Sequence, residues 1–266
     1  MKRVAALVIA TLGSIGAGQG DALSRARQFY NHQQYDAAIG AATEARLTPK
    51  FADAATLVLA RAHLERFRQS ANPADLTAAR DALQQIHPAV LAPPYRVELI
   101  IGLGESLYLD DRAGAAAEEF ELALPGVDAT NPNARERVLD WWATALDRQA
   151  QLGPESERRP LYARIVNRME EELRRDAGSA AASYWLVAGA RGSGDLERAW
   201  GTAIAGWVRA SMAGDRRVAL RADLDRIVQA IIPERARQTS SSTDVAQAIA
   251  AMRGEWETLK QSWTDR

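Results

Sequence analysis

The sequence contains no cysteine, which excludes disulfide bonds, cysteine-ligated zinc and thiol catalysis together. It has only three histidines, His32, His63 and His87, and their spacing matches no metal-binding motif. The 33 lysines and arginines are balanced by 34 aspartates and glutamates, so there is no basic excess for nucleic acid. A nucleophile elbow and a P-loop are also missing from the sequence. We therefore expect no catalysis, metal, cofactor or nucleic-acid partner.

Aromatic residues make up only 6% of the chain, whereas alanine, the strongest helix former, occurs 53 times. Apolar residues recur every three or four positions from Asp21 onward, and no stretch alternates with the period of two typical of strands. Proline and glycine interrupt this pattern at short intervals, where they end or begin helices. The sequence therefore predicts an all-α protein. The predicted helices span residues 21–31, 36–47, 51–69, 74–86, 93–109, 113–124, 133–151, 157–176, 179–191, 195–213, 216–237 and 243–264.

The N-terminal segment has the three parts of a secretory signal peptide. Lys2 and Arg3 precede an apolar run from Val4 to Ile15, and small residues follow as far as Gly20. The run is shorter than the roughly 20 apolar residues of a membrane span. We expect residues 1–20 to be a signal peptide and the protein to be exported, periplasmic or extracellular. The alternatives are an uncleaved membrane anchor, the only case in which we expect membrane contact, and a cytoplasmic protein.

Residues 100–123 carry the most specific pattern in the chain. Its positions are Ile100, Leu103, Gly104 and Leu107, followed by Ala116, Phe120 and Ala123. This order of small and large residues resembles the tetratricopeptide repeat (TPR), and the N-terminal segment makes the chain similar to exported bacterial members of that superfamily. The small residue at Gly104 would let the paired helix approach closely. Residues 22–45 repeat the same interval, 60–79 and 185–206 do so with insertions or deletions, and 133–176 is degenerate.

The resemblance implies an α-solenoid of about six antiparallel helix hairpins, a TPR-like helical repeat domain over residues 21–237. The first helix of each hairpin would line a concave face. The register places eight candidate partner-binding residues on that face: Arg27, Tyr30, Asn31, Glu98, Ile101, Glu105, Tyr108 and Leu109. TPR co-chaperones use Lys and Asn at such positions to hold two carboxylates, and this set departs from that clamp. The mixed groove suits an extended or helical peptide instead, the alternative being ordinary exposed residues without a ligand.

The C-terminal segment, residues 243–266, has an uninterrupted apolar seam on one helix face. The seam consists of Val245, Ile249, Met252, Trp256, Leu259 and Trp263. We expect this helix to cap the exposed flank of the last hairpin, against the face formed by Leu220, Leu224, Ile227, Val228 and Ile231. The alternative is a docking or dimerisation helix, with the serines at 240–242 as a hinge.

Five of the seven tryptophans precede the C-terminal helix. Trp141, Trp185, Trp200 and Trp207 fall at helix-packing positions, which predicts that they lie in the core. Trp142 is displaced from that face by its neighbour, so its burial is left open.

These features together predict a non-catalytic exported scaffold that binds a protein or peptide partner in the cell envelope through the concave face. One alternative is a structural module that forms homo-oligomers through helix 243–264. A second is a hydrolase or lyase of cell-wall polymer that uses a carboxylate such as Glu105.

Overall fold

A computed structural model describes residues 22–127, 132–241 and 244–264 of the chain. Within these ranges the protein is all-helical and has no strand, as the sequence predicted. The helices are α1 Ala22–Asn31, α2 Tyr35–Ala45, α3 Ala52–Ser70, α4 Pro73–Gln84, α5 Pro93–Leu109, α6 Ala113–Ala123, α7 Pro132–Leu152, α8 Glu155–Arg175, α9 Ala180–Gly192, α10 Leu196–Arg209, α11 Arg217–Thr239 and α12 Val245–Thr264. The segment expected to be a signal peptide lies outside the described residues. None of the helices described is long and apolar enough to cross a membrane.

Side-chain caps and prolines begin several of these helices. Asn72 accepts a hydrogen bond from the Ala74 amide at 3.1 Å and Pro73 opens α4. Ser179 and Asp195 cap α9 and α10 in the same way. The predicted bounds differ most at α10, which ends at Arg209. The chain continues there as a 3-10 segment, Ala210–Arg216, in which Gly214 has a positive φ of 60°.

The chain divides into two compact units, one ending at Ala145 and the other beginning at Leu146, so the division falls within α7. In the first unit each helix from α1 to α4 packs against the next along the chain, and α4 and α6 each pack against α5. Helices α1 and α3 also contact each other, as do α3 and α5. The helices α5 and α6 approach closely at Gly104, where an added Cβ would lie 2.7 Å from Cε1 of Phe120. The structure thus brings together the small and large residues of the motif at 100–123.

The second unit repeats this neighbour packing from α8 to α12, and α9 also contacts α11. Its core is rich in tryptophan. Trp200 and Trp207 of α10 pack on Trp256 of α12, with ring centroids 6.1 and 5.2 Å apart. The seam of α12 lies against α11 residues that the sequence analysis named, including Leu224 and Ile231.

The two adjacent tryptophans of α7 differ in burial, and Trp141 departs from its expected place in the core. Trp142 is fully buried, and its indole N–H donates to Glu121 at 3.4 Å. Trp141 is half-buried instead of lying in the core, and that prediction was wrong. Its ring packs on Phe120 at 5.5 Å and carries the guanidinium of Arg68 over its face at 4.5 Å. Trp141, which the helix register assigned to the core, therefore lies in a partly polar environment.

Candidate functional site

Four of the eight candidate residues meet in one depression of the first unit. Arg27, Tyr30 and Asn31 of α1 line it together with Glu98 of α5. Two α3 residues that the sequence analysis did not name, Val58 and Arg61, complete the wall. We call these six residues the first-unit recess, a small cavity of about 20 Å³. The recess is built from alternate helices, because α1 and α5 both pack on α3.

The other four candidate residues do not line this recess. Ile101 and Glu105 are buried, at 5% and 1% exposure, so they lie beneath the face on which the register placed them. Tyr108 and Leu109 are half-buried near the C-terminal end of α5. Leu109 packs there on a small cluster that includes Leu64.

Glu105 lies among four other charged side chains of α3 and α5. We call the set the buried charge cluster, and it consists of Arg61, Glu65, Arg68, Glu98 and Glu105. Arg61 lies 3.6 Å from Glu98 and 3.8 Å from Glu105. Arg68 donates to Glu65 at 2.8 Å and lies 3.4 Å from Glu105. Every charge in this set has an opposite charge within 4 Å, which such burial requires.

Two tyrosines pack on the buried charge cluster. The guanidinium of Arg61 lies over the ring of Tyr30 at 5.2 Å, and the rings of Tyr30 and Tyr35 are 5.8 Å apart. Both hydroxyl groups are buried and make no hydrogen bond to any residue that the structure describes. Burial raises the pKa of Tyr35 to about 12 and raises the pKa of Tyr30 further, so both stay neutral.

The carboxyl group of Glu65 has a raised pKa. Burial is the main cause, and the negative charge of Glu105 adds to it, while Arg68 and Arg61 act in the opposite direction. The result raises the pKa of Glu65 to about 7.

A larger depression lies in the second unit, where the sequence analysis placed no site. We call it the second-unit groove, and its volume is about 550 Å³. Its lining residues are Asp147, Gln151, Tyr162, Tyr184, Trp185, Ala188, Arg191, Gly192, Asp223, Arg226, Ile227, Ala230 and Glu234. All but Tyr162 come from α7, α9 and α11, again alternate helices. The signal that could have found it is the helical spacing of Trp185, Ala188 and Arg191, which aligns them on one face of α9.

Charged side chains surround the apolar part of the second-unit groove. Arg191 of α9 makes two hydrogen bonds to Glu234 of α11, at 3.0 and 2.6 Å. Arg226 donates to Asp223 on the same helix at 3.1 Å. The lining of the groove is therefore both apolar and charged.

Neither depression has the arrangement of a metal centre. No group of three or more metal-ligating side chains occurs in the part of the chain that the structure describes. His63 and His87 each lie beside one aspartate, with His63 Nδ1 2.8 Å from Asp75 and the His87 amide donating to Asp53 at 2.7 Å. Asp75 also accepts from Arg66 at 2.9 Å, so this group joins α3 to α4.

Comparison of the chain with protein-family models, with curated proteins and with solved structures gave no match. The geometry of the two depressions therefore carries the functional argument.

Proposed function

We propose that the protein is a non-catalytic, TPR-like scaffold that binds a protein or peptide partner in the cell envelope. The observation that carries this proposal is the common construction of the two depressions. Within each unit, alternate helices pack side by side: α1 with α3, α3 with α5, and α9 with α11. The first-unit recess and the second-unit groove are both lined by these helices. An α-solenoid displays its concave face in this way, because its first helices stack in register.

Export and the solenoid form belong to the same proposal. Export rests on the sequence of residues 1–20 alone. The solenoid is supported by the pairing of successive helices and by the close approach of Gly104 to Phe120. A TPR pattern requires such a contact between the two helices of a hairpin.

The positions of Glu105 and of the α12 seam disfavour the two alternatives, a hydrolase or lyase of cell-wall polymer and a module that forms homo-oligomers through α12. Glu105 is held by Arg61 and Arg68 at 1% exposure, so its carboxyl does not face a substrate. The seam of α12 packs on α10 and α11 of its own chain, which leaves less apolar surface for self-association.

Site-specific photo-crosslinking tests the proposal. A photoreactive phenylalanine replaces Asn31 in the first-unit recess or Ala230 in the second-unit groove, both of which are half-buried. Matched controls carry it at Gly40 of α2 and Gly201 of α10, which are exposed and where an added side chain meets nothing within 4 Å. We expect envelope proteins to crosslink at Asn31 and Ala230, with partners identified by mass spectrometry. Equal or stronger crosslinking at the glycine positions would contradict a concave binding face.

A further inference from the structure

The second-unit groove contains three carboxylates and two guanidinium groups, a formal charge of −1 among its lining residues. Glu234 is paired with Arg191, and Asp223 is paired with Arg226. Asp147 is different. Among the described residues, it accepts hydrogen bonds only from neutral donors, the Tyr162 hydroxyl at 2.8 Å and the Gln151 amide at 2.6 Å.

The surroundings of Asp147 keep its charge uncompensated. Burial and the hydrogen bond to Asp147 raise the pKa of Tyr162, so the phenol stays a neutral donor. Arg158 of α8 also acts on Tyr162, and it donates to the Ala150 carbonyl at 3.1 Å. Asp147 itself is half-buried, which leaves it accessible from the groove.

Aromatic side chains line the same groove. Tyr184 and Trp185 meet edge to face at 5.3 Å, and Tyr162 completes the set. A carboxylate beside aromatic rings attracts a cation by charge and by the ring quadrupole together. Two small residues, Ala188 and Ala230, also line the groove and add apolar surface to it.

We propose that Asp147 and the aromatic residues of the second-unit groove bind a basic side chain, lysine or arginine, of the partner peptide. The proposal rests on the proposed function, because it names the chemistry of the partner that the scaffold would bind. Arg191 and Arg226 do not oppose such a ligand, since each is neutralised by its own carboxylate.

Three peptides with acetylated N-termini and amidated C-termini test the proposal: Leu-Ala-Arg-Ala-Leu and the same sequence with Glu or Gln at the centre. Binding to the purified protein is followed by NMR of the tryptophan indole N–H groups, which include that of Trp185. We expect the arginine peptide to bind about tenfold more tightly than the glutamine peptide, from one ion pair and one cation–π contact. The glutamate peptide should bind most weakly.

Substitutions of Asp147 separate its charge from the rest of the groove. Asp147→Asn keeps an oxygen that accepts from Tyr162, and we expect it to remove the preference for arginine. Asp147→Lys should reverse the preference toward the glutamate peptide. The control Asp215→Asn changes the net charge equally at an exposed residue outside the groove and should keep the wild-type preference. Melting curves establish that each variant is folded.

The outcomes distinguish this inference from the proposed function. If the glutamate peptide binds as tightly as the arginine peptide, or if Asp147→Asn keeps the arginine preference, the inference is overturned while peptide binding stands. If none of the three peptides shifts an indole signal, the inference is overturned, and the crosslinking experiment decides the proposed function separately.

Discussion

The fully buried Trp256 fixes α12 to the rest of the second unit. Its ring packs on Trp200 and Trp207, and its indole N–H donates to Asp225 of α11 at 2.8 Å. Lys260, one turn further along α12, also donates to Asp225, at 2.9 Å. One side chain therefore joins α10, α11 and α12, and its removal measures how strongly the C-terminal helix is held.

We expect Trp256→Ala to lower the free energy of unfolding by roughly 3–5 kcal/mol, the range for truncation of a buried tryptophan. The loss combines the apolar area of the indole, about 150–250 Å², with the hydrogen bond that the indole N–H donates to Asp225. For a unit of this size each kcal/mol corresponds to about 4 °C, so the melting temperature should fall by roughly 12–20 °C. Chemical denaturation followed by circular dichroism gives the free energy, and calorimetry gives the temperature.

Two matched variants separate the contributions. Trp263→Ala removes the same side chain from the same helix at a half-buried position, and it should cost clearly less than Trp256→Ala. Trp256→Phe keeps an aromatic ring and loses the donor to Asp225, so its cost should be intermediate, with about 1–3 kcal/mol due to the hydrogen bond.

The oligomeric state decides whether α12 covers its own chain or docks onto another molecule. Sedimentation velocity over a concentration series should show the same mass for the wild type and for Trp256→Ala below its melting temperature. A wild-type dimer that becomes a stable monomer on substitution would refute the intramolecular cap. So would a loss of stability no larger than that of Trp263→Ala.

Three further predictions concern packing and pH. Gly104→Ala should destabilise the protein by about 1–3 kcal/mol, because the added Cβ would lie 2.7 Å from the Phe120 ring. The control Gly40→Ala, on an exposed helix face with open space, should stabilise it by about 0.5–1 kcal/mol. Equal effects of the two variants on chemical denaturation would contradict the close packing at Gly104. The pKa of Glu65 is raised to about 7 from 4.5, so the folded protein binds more protons than the unfolded chain, and its stability falls as the pH rises between these values. Glu65→Gln should remove this pH dependence, which is worth about 3 kcal/mol. An unchanged profile of stability against pH in the variant would refute this linkage. Burial alone would raise the pKa of Asp225, but hydrogen bonds from α12 lower it. The contribution of Asp225 to stability is therefore present above its unfolded pKa and is lost on acidification through its folded pKa. Asp225→Asn should make stability at acidic pH, measured by tryptophan fluorescence, depend less on pH, and an unaltered acid dependence would count against this linkage.

The helices could be predicted from the sequence because their signals are local. The pair Asn72-Pro73 caps and opens α4, and Ser179 caps α9, so the boundary information lies within a few residues of each helix end. The predicted helix ends were less accurate where tertiary packing determines the end of a helix. Pro233 lies inside α11, which continues to Thr239 beyond the expected end at residue 237. A proline that loses one hydrogen bond is tolerated there because buried side chains on both sides, including Ile232 and Ala236, hold the helix.

The depressions could be predicted only in part. Arg27, Tyr30 and Asn31 were found because they share one face of α1, which helix periodicity gives directly. Arg61 was missed because it belongs to the second predicted repeat, where an insertion obscures the register. The second-unit groove was missed because its walls come from three helices whose mutual packing is not encoded in local spacing.

The sequence could not show which of the candidate α5 residues line the first-unit recess and which are buried beneath it. The buried charge cluster explains why. A helix register cannot distinguish Glu98, at the recess, from Glu105, two turns later on the same face of α5. What distinguishes them is Arg61, which reaches both carboxylates from α3. Buried ion pairs contribute little net stability compared with apolar packing, because the cost of desolvation offsets their attraction. Its direct structural consequence is positional: Arg61 holds Glu98 and covers Tyr30, and it thereby fixes two walls of the recess relative to each other.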